Sequence, residues 1–254
     1  MAAVGGDGGG VALVGRAVEL RCVDEFLAGA GSGAAGAVVL LGEPGIGKTR
    51  LLGELCVRAG AAGFDVLAGR GSELEREVPF GMVVEALDER FGGLDRRVVA
   101  ALGADRMAEL AAVLPSLSGV GRQPASRLEV ERFEFYRAVR AAFDQLVLSR
   151  PVVLALDDVH WADPASAELI GHLLRRAVPG MVLALAYRPR QAPRLLLDAV
   201  AQASREGVLR ELELAPLSLV EAAEALGERP DSPVVRVLHS ESGGNPFYLE
   251  QLAR

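Results

Sequence analysis

Cysteine, tryptophan and positive charge are all scarce in this chain of 254 residues. The two cysteines, Cys22 and Cys56, form no C-x-x-C pair and no metal-ligand spacing, which leaves out a disulfide framework and a thiolate metal site. Aromatic residues make up 5%, so a core has to be packed from Leu, Val and Ala. The formal net charge is −7, opposite to what a broad nucleic-acid surface needs. No apolar run approaches the ~20 residues of a membrane-spanning helix. Residues 1–10, MAAVGGDGGG, have neither the basic start nor the apolar stretch of a signal peptide and read as a flexible glycine-rich tail. These absences predict a protein of the reducing cytoplasm with no membrane attachment.

Half of the residues are hydrophobic, enough for one large α/β domain or one domain plus a small appendage. The most informative stretch is Ala37–Arg50. An apolar strand ends at Leu41, a glycine-rich loop follows, and a helix carrying Leu51, Leu52, Leu55 and Val57 begins near Lys48. The loop, Gly42-Glu43-Pro44-Gly45-Ile46-Gly47-Lys48-Thr49, fits G-x-x-x-x-G-K-[ST] in full, and Arg50 follows it. Its glycines let the backbone close around an anion with N–H groups pointing inward. The helix start adds a positive end. Lys48 supplies a full charge for β- and γ-phosphates, and Thr49 a hydroxyl for Mg²⁺. A plain glycine turn is the alternative; the strand before and the apolar helix after favour a nucleotide site.

Along the chain, Val11–Arg16 reads as extended and Ala17–Ala28 as a helix with Val18, Cys22, Phe26 and Leu27 on one face. Gly29–Gly36 reads as a flexible connection, Val38–Leu41 as the first strand and Phe64–Gly69 as the second. A long helical region follows: Pro79–Phe91, Arg96–Leu102, Asp105–Leu114, a loop over Pro115–Pro124, then Ser126–Leu148 with Leu128, Phe133, Tyr136, Val139, Phe143 and Leu146 at helical spacing. Pro151–Leu156 and Met181–Tyr187 are continuously apolar strands. Ala165–Ala177, opened by Asp163-Pro164, and Arg194–Arg205 are helices. Val208–Leu214 alternates as an edge or half-exposed strand does, and helices resume at Leu219–Leu226, Val234–His239 and Pro246–Ala253. Apolar strands separated by helices predict an α/β fold with a mainly parallel sheet and helices on both faces. A long helical insertion precedes the strand that leads to Asp157. The expected division is an α/β domain over 11–215 and the start of a C-terminal helical subdomain over 216–254.

Ligands of such sheets bind beyond the carboxyl ends of the strands, so the phosphate loop, Asp157-Asp158 and Arg188 should converge. Asp157, at a strand tip, is placed to hold Mg²⁺, and Asp158 to position an attacking water. An Asp-Asp turn is the alternative, weakened by the complete phosphate loop. Arg188 could touch the γ-phosphate or simply cap its strand in solvent. His160 reads as structural and Trp161 as packing. No N-K-x-D or T-K-x-D segment and no D-x-x-G after the Asp157 strand is present, which favours ATP over GTP.

With GEPGIGKTR, LALDDVHWADPAS, the AYR segment and SGGNPFYLEQL, the chain resembles the ATPase module of the STAND class of AAA-related P-loop NTPases. It is most similar to the module at the front of large LuxR-type, MalT-like bacterial transcriptional regulators. The resemblance covers nearly the whole chain from Val11. It implies that Val14-Gly15-Arg16 corresponds to the family's V-G-R-E motif beside adenine and ribose, with Ala17 in place of Glu. It implies that Gly244-Asn245-Pro246 corresponds to G-x-P, whose proline approaches the base, and that Arg188 is a sensor of the γ-phosphate. From the residues alone, Gly243–Pro246 reads simply as a turn before the last helix. No DNA-reading element is recognisable in this sequence, so the expectation is a truncated or stand-alone module of such a regulator, or one whose partners supply the output.

The leading expectation is therefore a Mg-ATP-dependent switch with slow hydrolysis, binding ATP and ADP and acting through a protein partner or self-association, without direct DNA binding. An interaction module that binds nucleotide without catalysis is the alternative; Arg175 and Arg176 are candidate fingers in trans or plain solvated charges. A small-molecule phosphotransferase is a third possibility, for which neither an arginine-rich lid nor an acceptor pocket is identifiable.

Overall fold

The computed structural model describes residues 13–117 and 128–254. The expected glycine-rich tail and most of the expected loop over Pro115–Pro124 lie outside those residues. Five strands make one parallel sheet: β1 (Gly36–Leu41), β2 (Asp65–Arg70), β3 (Val152–Asp157), β4 (Met181–Tyr187) and β5 (Leu209–Glu213), in the order β2-β3-β4-β1-β5. Every residue of β3 and β4 is buried, which is why both read as unbroken apolar runs. The outer strand β5 alternates because one edge and much of a face meet solvent.

The helices are α1 (Ala17–Gly31), α2 (Lys48–Ala61), α3 (Gly81–Gly92), α4 (Arg96–Ala111), α5 (Leu128–Leu146), α6 (Pro164–Arg175), α7 (Arg194–Arg205), α8 (Leu219–Leu226), α9 (Pro233–Ser242) and α10 (Pro246–Leu252). They cover both sheet faces. Val38, Leu40, Val153, Ala155, Val182 and Ala184 point to one side, where Val23 and Leu27 of α1 and Leu51 and Leu55 of α2 cover them. Val39, Leu154, Leu156, Leu183 and Leu185 point to the other, against α3, α5, α6 and α7. Each such valine or leucine contributes about 1.5–3 kcal/mol by leaving water, so this double layer dominates the fold's stability.

The expected α/β architecture and the long helical insertion, α3 to α5, are present. The two helices expected across 96–114 are one element, α4, broken at Gly103, whose φ of 77° and ψ of 169° are not helical. Asp157 is the last residue of β3 instead of following it, and Val14-Gly15 is a turn instead of extended chain. Gly29–Gly31 belong to α1 and Gly36 to β1, so the connection between them is shorter than expected.

Three apolar residues placed on buried faces are exposed: Val18, Val57 and Phe133. The helical phase explains each. At 100° per residue Val18 lies about 140° round α1 from buried Val23, Val57 about 160° from Leu55, and Phe133 about 120° from Val139.

Beyond β5 a small third cluster forms around Leu217, Ala222 and Leu249. α8 opens with a reciprocal capping box, in which the Ser218 hydroxyl accepts from Glu221 N and the Glu221 carboxylate accepts from Ser218 N. The backbone of Leu217 donates to the Gly244 carbonyl, and His239 Nε2 meets the Leu217 carbonyl at 2.8 Å. These bonds tie α9 and α10 back to the chain that leaves the sheet.

Candidate functional site

Parallel register brings the strand tips to one level. Leu41 of β1 pairs with Tyr187 of β4, and Arg70 of β2 pairs with Asp157 of β3. The segments that follow, Gly42–Thr49, Arg188 and Asp158–Trp161, therefore gather at the carboxyl edge of the sheet, although they come from distant parts of the chain.

The glycine loop leaves β1 at Gly42, where φ is 148° and a Cβ would stand 2.9 Å from Ile46 Cγ2. Gly45 and Gly47 also have positive φ, 77° and 103°, which a side chain would strain. α2 begins directly after Gly47 with no side-chain cap, so no side-chain oxygen competes for its first N–H groups. Ile46 is buried and anchors the loop, while Glu43, Pro44 and Gly45 are exposed. Lys48 Nζ donates to the Gly42 and Glu43 carbonyls at 2.8 and 2.9 Å. Burial, and then the Arg188 charge, hold its pKa below the usual lysine value; Asp158 and Asp157 act the other way.

Across the loop, the Thr49 hydroxyl stands beside the Asp157 carboxylate. Asp157 is buried, and burial raises its pKa, a shift moderated by the neighbouring Thr49 hydroxyl. Its carboxylate also accepts from Asp158 N at 2.9 Å. Asp158 takes up a left-handed conformation, φ 49° and ψ 38°, a strained region that Asp tolerates better than most residues. Arg188 donates to Gln191 Oε1 at 3.3 Å, and its buried Nε has no partner. The Arg188 and Lys48 charges both act against protonation of His160. His160 is buried, which pushes its pKa down to about 4 and keeps the ring neutral. Trp161 lies against it with ring centroids 5.0 Å apart.

The remaining candidate residues border the loop from the other side. Arg16 is 5% exposed and donates to the Ile46 carbonyl at 3.0 Å, supporting the loop from beneath. Gly15, at φ 70°, lies so close to α8 that a Cβ would stand 2.8 Å from Glu221 Cδ; Val14 shares its turn. Pro246 is the first residue of α10. Its neighbours touch the loop directly: Asn245 Nδ2 donates to the Pro44 carbonyl at 2.9 Å, and Phe247 N donates to the Gly45 carbonyl at 3.3 Å. Arg50 is exposed on the first turn of α2.

Two contributors escape sequence reasoning. Arg70, at the tip of β2, clamps Asp158 Oδ2 with Nε at 2.9 Å and Nη2 at 2.7 Å, and its Nε is 4.0 Å from Asp157 Oδ2. Only the side-by-side placement of β2 and β3 reveals this, though an arginine between two glycines at a strand end was the available signal. Asn245 lay within a recognised motif, yet its bond to Pro44 needs the three-dimensional fold. Chemically, the arrangement offers loop amides and Lys48 for a polyphosphate, a hydroxyl–carboxylate pair for a hard cation, and a second carboxylate near the cationic volume.

The AAA ATPase domain family matches residues 12–197, a span that takes in the phosphate loop, both aspartates and Arg188. An uncharacterised protein of Rhizobium meliloti (strain 1021) is 29% identical over 274 residues and covers 95% of this chain. The chain spans 25% of that relative's length. Among solved structures, the ORC2 protein of Aeropyrum pernix in ADPNP–ADP complexes superposes with a TM-score of 0.56 at 16% identity, covering 92% of this chain and 59% of that one. A point mutant of RuvB from Thermotoga maritima gives 0.50 at 16% identity, covering 94% and 61%. At these identities the solved structures speak to the fold, a P-loop NTPase fold, and the family match to the chain itself. It has a nucleotide-binding P-loop fold and belongs to the AAA ATPase domain family.

Proposed function

We propose that this chain is a Mg-ATP-dependent regulatory switch with slow hydrolysis, serving signalling or transcription control as in the STAND ATPases it resembles. The carrying observation is the pair of bonds from Asn245 and Phe247 to the phosphate loop, which ties the C-terminal helices to the segment a nucleotide would touch. A loop that changes with its ligand would then move α10. Such coupling acts as a switch only if ATP and ADP favour different arrangements.

In this reading Lys48 exchanges its two loop carbonyls for phosphate oxygens, and Arg188 reports the γ-phosphate. Val14, Gly15 and Arg16 border adenine and ribose on one side, with Pro246 on the other. Thr49 and Asp157, side by side, are the pair that would hold Mg²⁺. Among the described residues no three His, Cys, Asp or Glu gather as a cation site; water and phosphate oxygens would complete its shell. Bound there, the cation would supply neutralisation of phosphate charge. Asp158 positions the attacking water. The Rhizobium relative carries a matching segment within a much longer chain, which supports a module that acts on attached or partner regions.

The assignment is tested by calorimetry: Lys48→Ala should abolish tight ATP binding, and an unchanged affinity would sink it. Asp158→Asn should keep binding and lose turnover. A second reading, nucleotide binding without catalysis, is favoured by Arg70 holding Asp158. Single-turnover measurement separates the two, since ATP that persists for hours supports the second.

A further inference from the structure

The carboxylate of Asp158 lies between two groups and bonds to one. Oδ2 accepts both Arg70 bonds, while Oδ1 faces His160 Nδ1 at 4.0 Å, beyond hydrogen-bonding reach. His160 is 1% exposed, and neither of its ring nitrogens has a hydrogen-bond partner. A buried ring N–H without an acceptor bears its full desolvation penalty. Arg70 is in the opposite situation: its side chain is 61% exposed, and an ion pair with so solvated a partner contributes little. Shortening the Oδ1–Nδ1 separation by roughly 1 Å would give the imidazole its missing acceptor.

The surrounding backbone makes this a built arrangement. Gly71 has no room for a Cβ, which would strike the Asp158 carbonyl oxygen, and a Cβ on Gly69 would stand 2.9 Å from Ala86 Cβ. The Arg70 amide donates to Glu85 Oε2 at 2.7 Å, and Gly71 N to the Asp157 carbonyl at 2.9 Å. The strand tip is thereby pinned against β3 with its guanidinium aimed at Asp158. On the other side the His160 ring is fixed by burial and by Trp161. The backbone that carries Arg70 and the His160 ring are both held in place, and the short Asp158 side chain between them is what can turn.

We propose that the Nδ1–H of His160 is a second seat for the Asp158 carboxylate, making His160 a positioning residue for the water-directing group. In the Arg70 seat, Oδ2 is occupied by two guanidinium N–H groups. In the His160 seat, Oδ1 accepts from the imidazole and Oδ2 is open to a water. This rests on the reading of Asp158 as the group that positions water.

The test uses the whole chain labelled with nitrogen-15 histidine. Of three histidines, His160 is assigned by its substitution. Arg70→Met, without nucleotide, should move the His160 ring-proton resonance downfield and slow its exchange; Arg70→Gln serves as a second variant. With ATP bound, Arg70→Met should raise the single-turnover rate about 1.5- to 5-fold at unchanged ATP affinity, the size expected for loss of a weak restraint. His160→Leu should cancel that gain, whereas His160→Asn, whose amide N–H can replace Nδ1–H, should retain it. An unchanged His160 resonance in both Arg70 variants overturns the second seat, whatever the turnover. A shifted resonance with turnover indifferent to Asp158→Asn upholds the seat and overturns instead the role given to Asp158.

Discussion

The side-chain amide of Asn245 donates to the carbonyl oxygen of Pro44 at 2.9 Å, across 201 positions of sequence. Its own Oδ1 accepts from Phe247 N at 3.1 Å, so one residue both caps α10 and fastens it to the phosphate loop. Replacing Asn245 with Ala removes a bond of about 0.5–1.5 kcal/mol and the cap with it. Hydrogen exchange in α10, compared between ATP- and ADP-bound protein, should show a smaller difference in the variant. A difference equal to that of the unaltered chain would disconnect Asn245 from nucleotide state.

Two glycines of the same loop should respond differently to alanine. At Gly45 a Cβ would lie 2.7 Å from Phe247 Cβ, in addition to the strain of φ 77°; at Gly47, with φ 103°, nothing lies within 4 Å. Gly47→Ala therefore meets backbone strain alone, about 1–2 kcal/mol. Gly45→Ala should cost more in thermal midpoint and should raise exchange at Phe247 and Tyr248. Equal midpoints for the two variants would contradict the close approach of α10.

Stability should depend on pH through a buried imidazole. His160 has its pKa depressed from 6.5 to about 4 by burial, so between those values the unfolded chain binds more protons than the native one. Its contribution is complete above about pH 6.5, falls as pH drops through that window and is exhausted near 4. The shift corresponds to at most about 3 kcal/mol. In His160→Asn, the urea midpoint should fall less between pH 7.5 and 4.5 than in the unaltered chain. Asp157, raised by burial, acts in the opposite sense but is common to both proteins and cancels from the comparison. Parallel pH profiles would contradict a neutral, buried His160.

Asp163 caps α6 by accepting from Ala165 N at 3.0 Å and Ser166 N at 3.1 Å, and it also accepts from the Ser166 hydroxyl. Because the cap is 4% exposed, water cannot replace it. Asp163→Ala should destabilise by about 1–2 kcal/mol in chemical denaturation, and Asp163→Asn by less. A loss below ~0.5 kcal/mol for Asp163→Ala would show that α6 is held by packing alone.

Features readable in the sequence are those whose cause is local. The phosphate loop is spelled by adjacent glycines, Lys48 and Thr49. β3 and β4 are legible because burial on both faces demands uninterrupted apolar residues, and α6 because Asp163 caps it within three positions. The two helices expected on either side of Gly103 meet there in one kinked element, since only a glycine takes that φ readily. What stayed hidden depends on strand order. Arg70 reaches Asp158 across 88 positions because β2 happens to lie beside β3. Phe133 fits an apolar helical pattern yet falls outside the buried stripe, since a repeat read from residue types fixes helical phase only to within a wide arc.

The outer strands of the sheet carry a consequence for assembly. At the end of β2 nearest the candidate site, Glu85 occupies the Arg70 amide, a backbone donor that an incoming strand would otherwise use. On the opposite border, β5 sets Arg210, Glu211 and Glu213 beside solvent, an irregular charge sequence on an open rim. Ribbon-like growth by adding strands is disfavoured at both margins. Copies or partners of this domain should therefore be recognised through loops and helix surfaces, leaving the backbone ladder a private feature of each subunit.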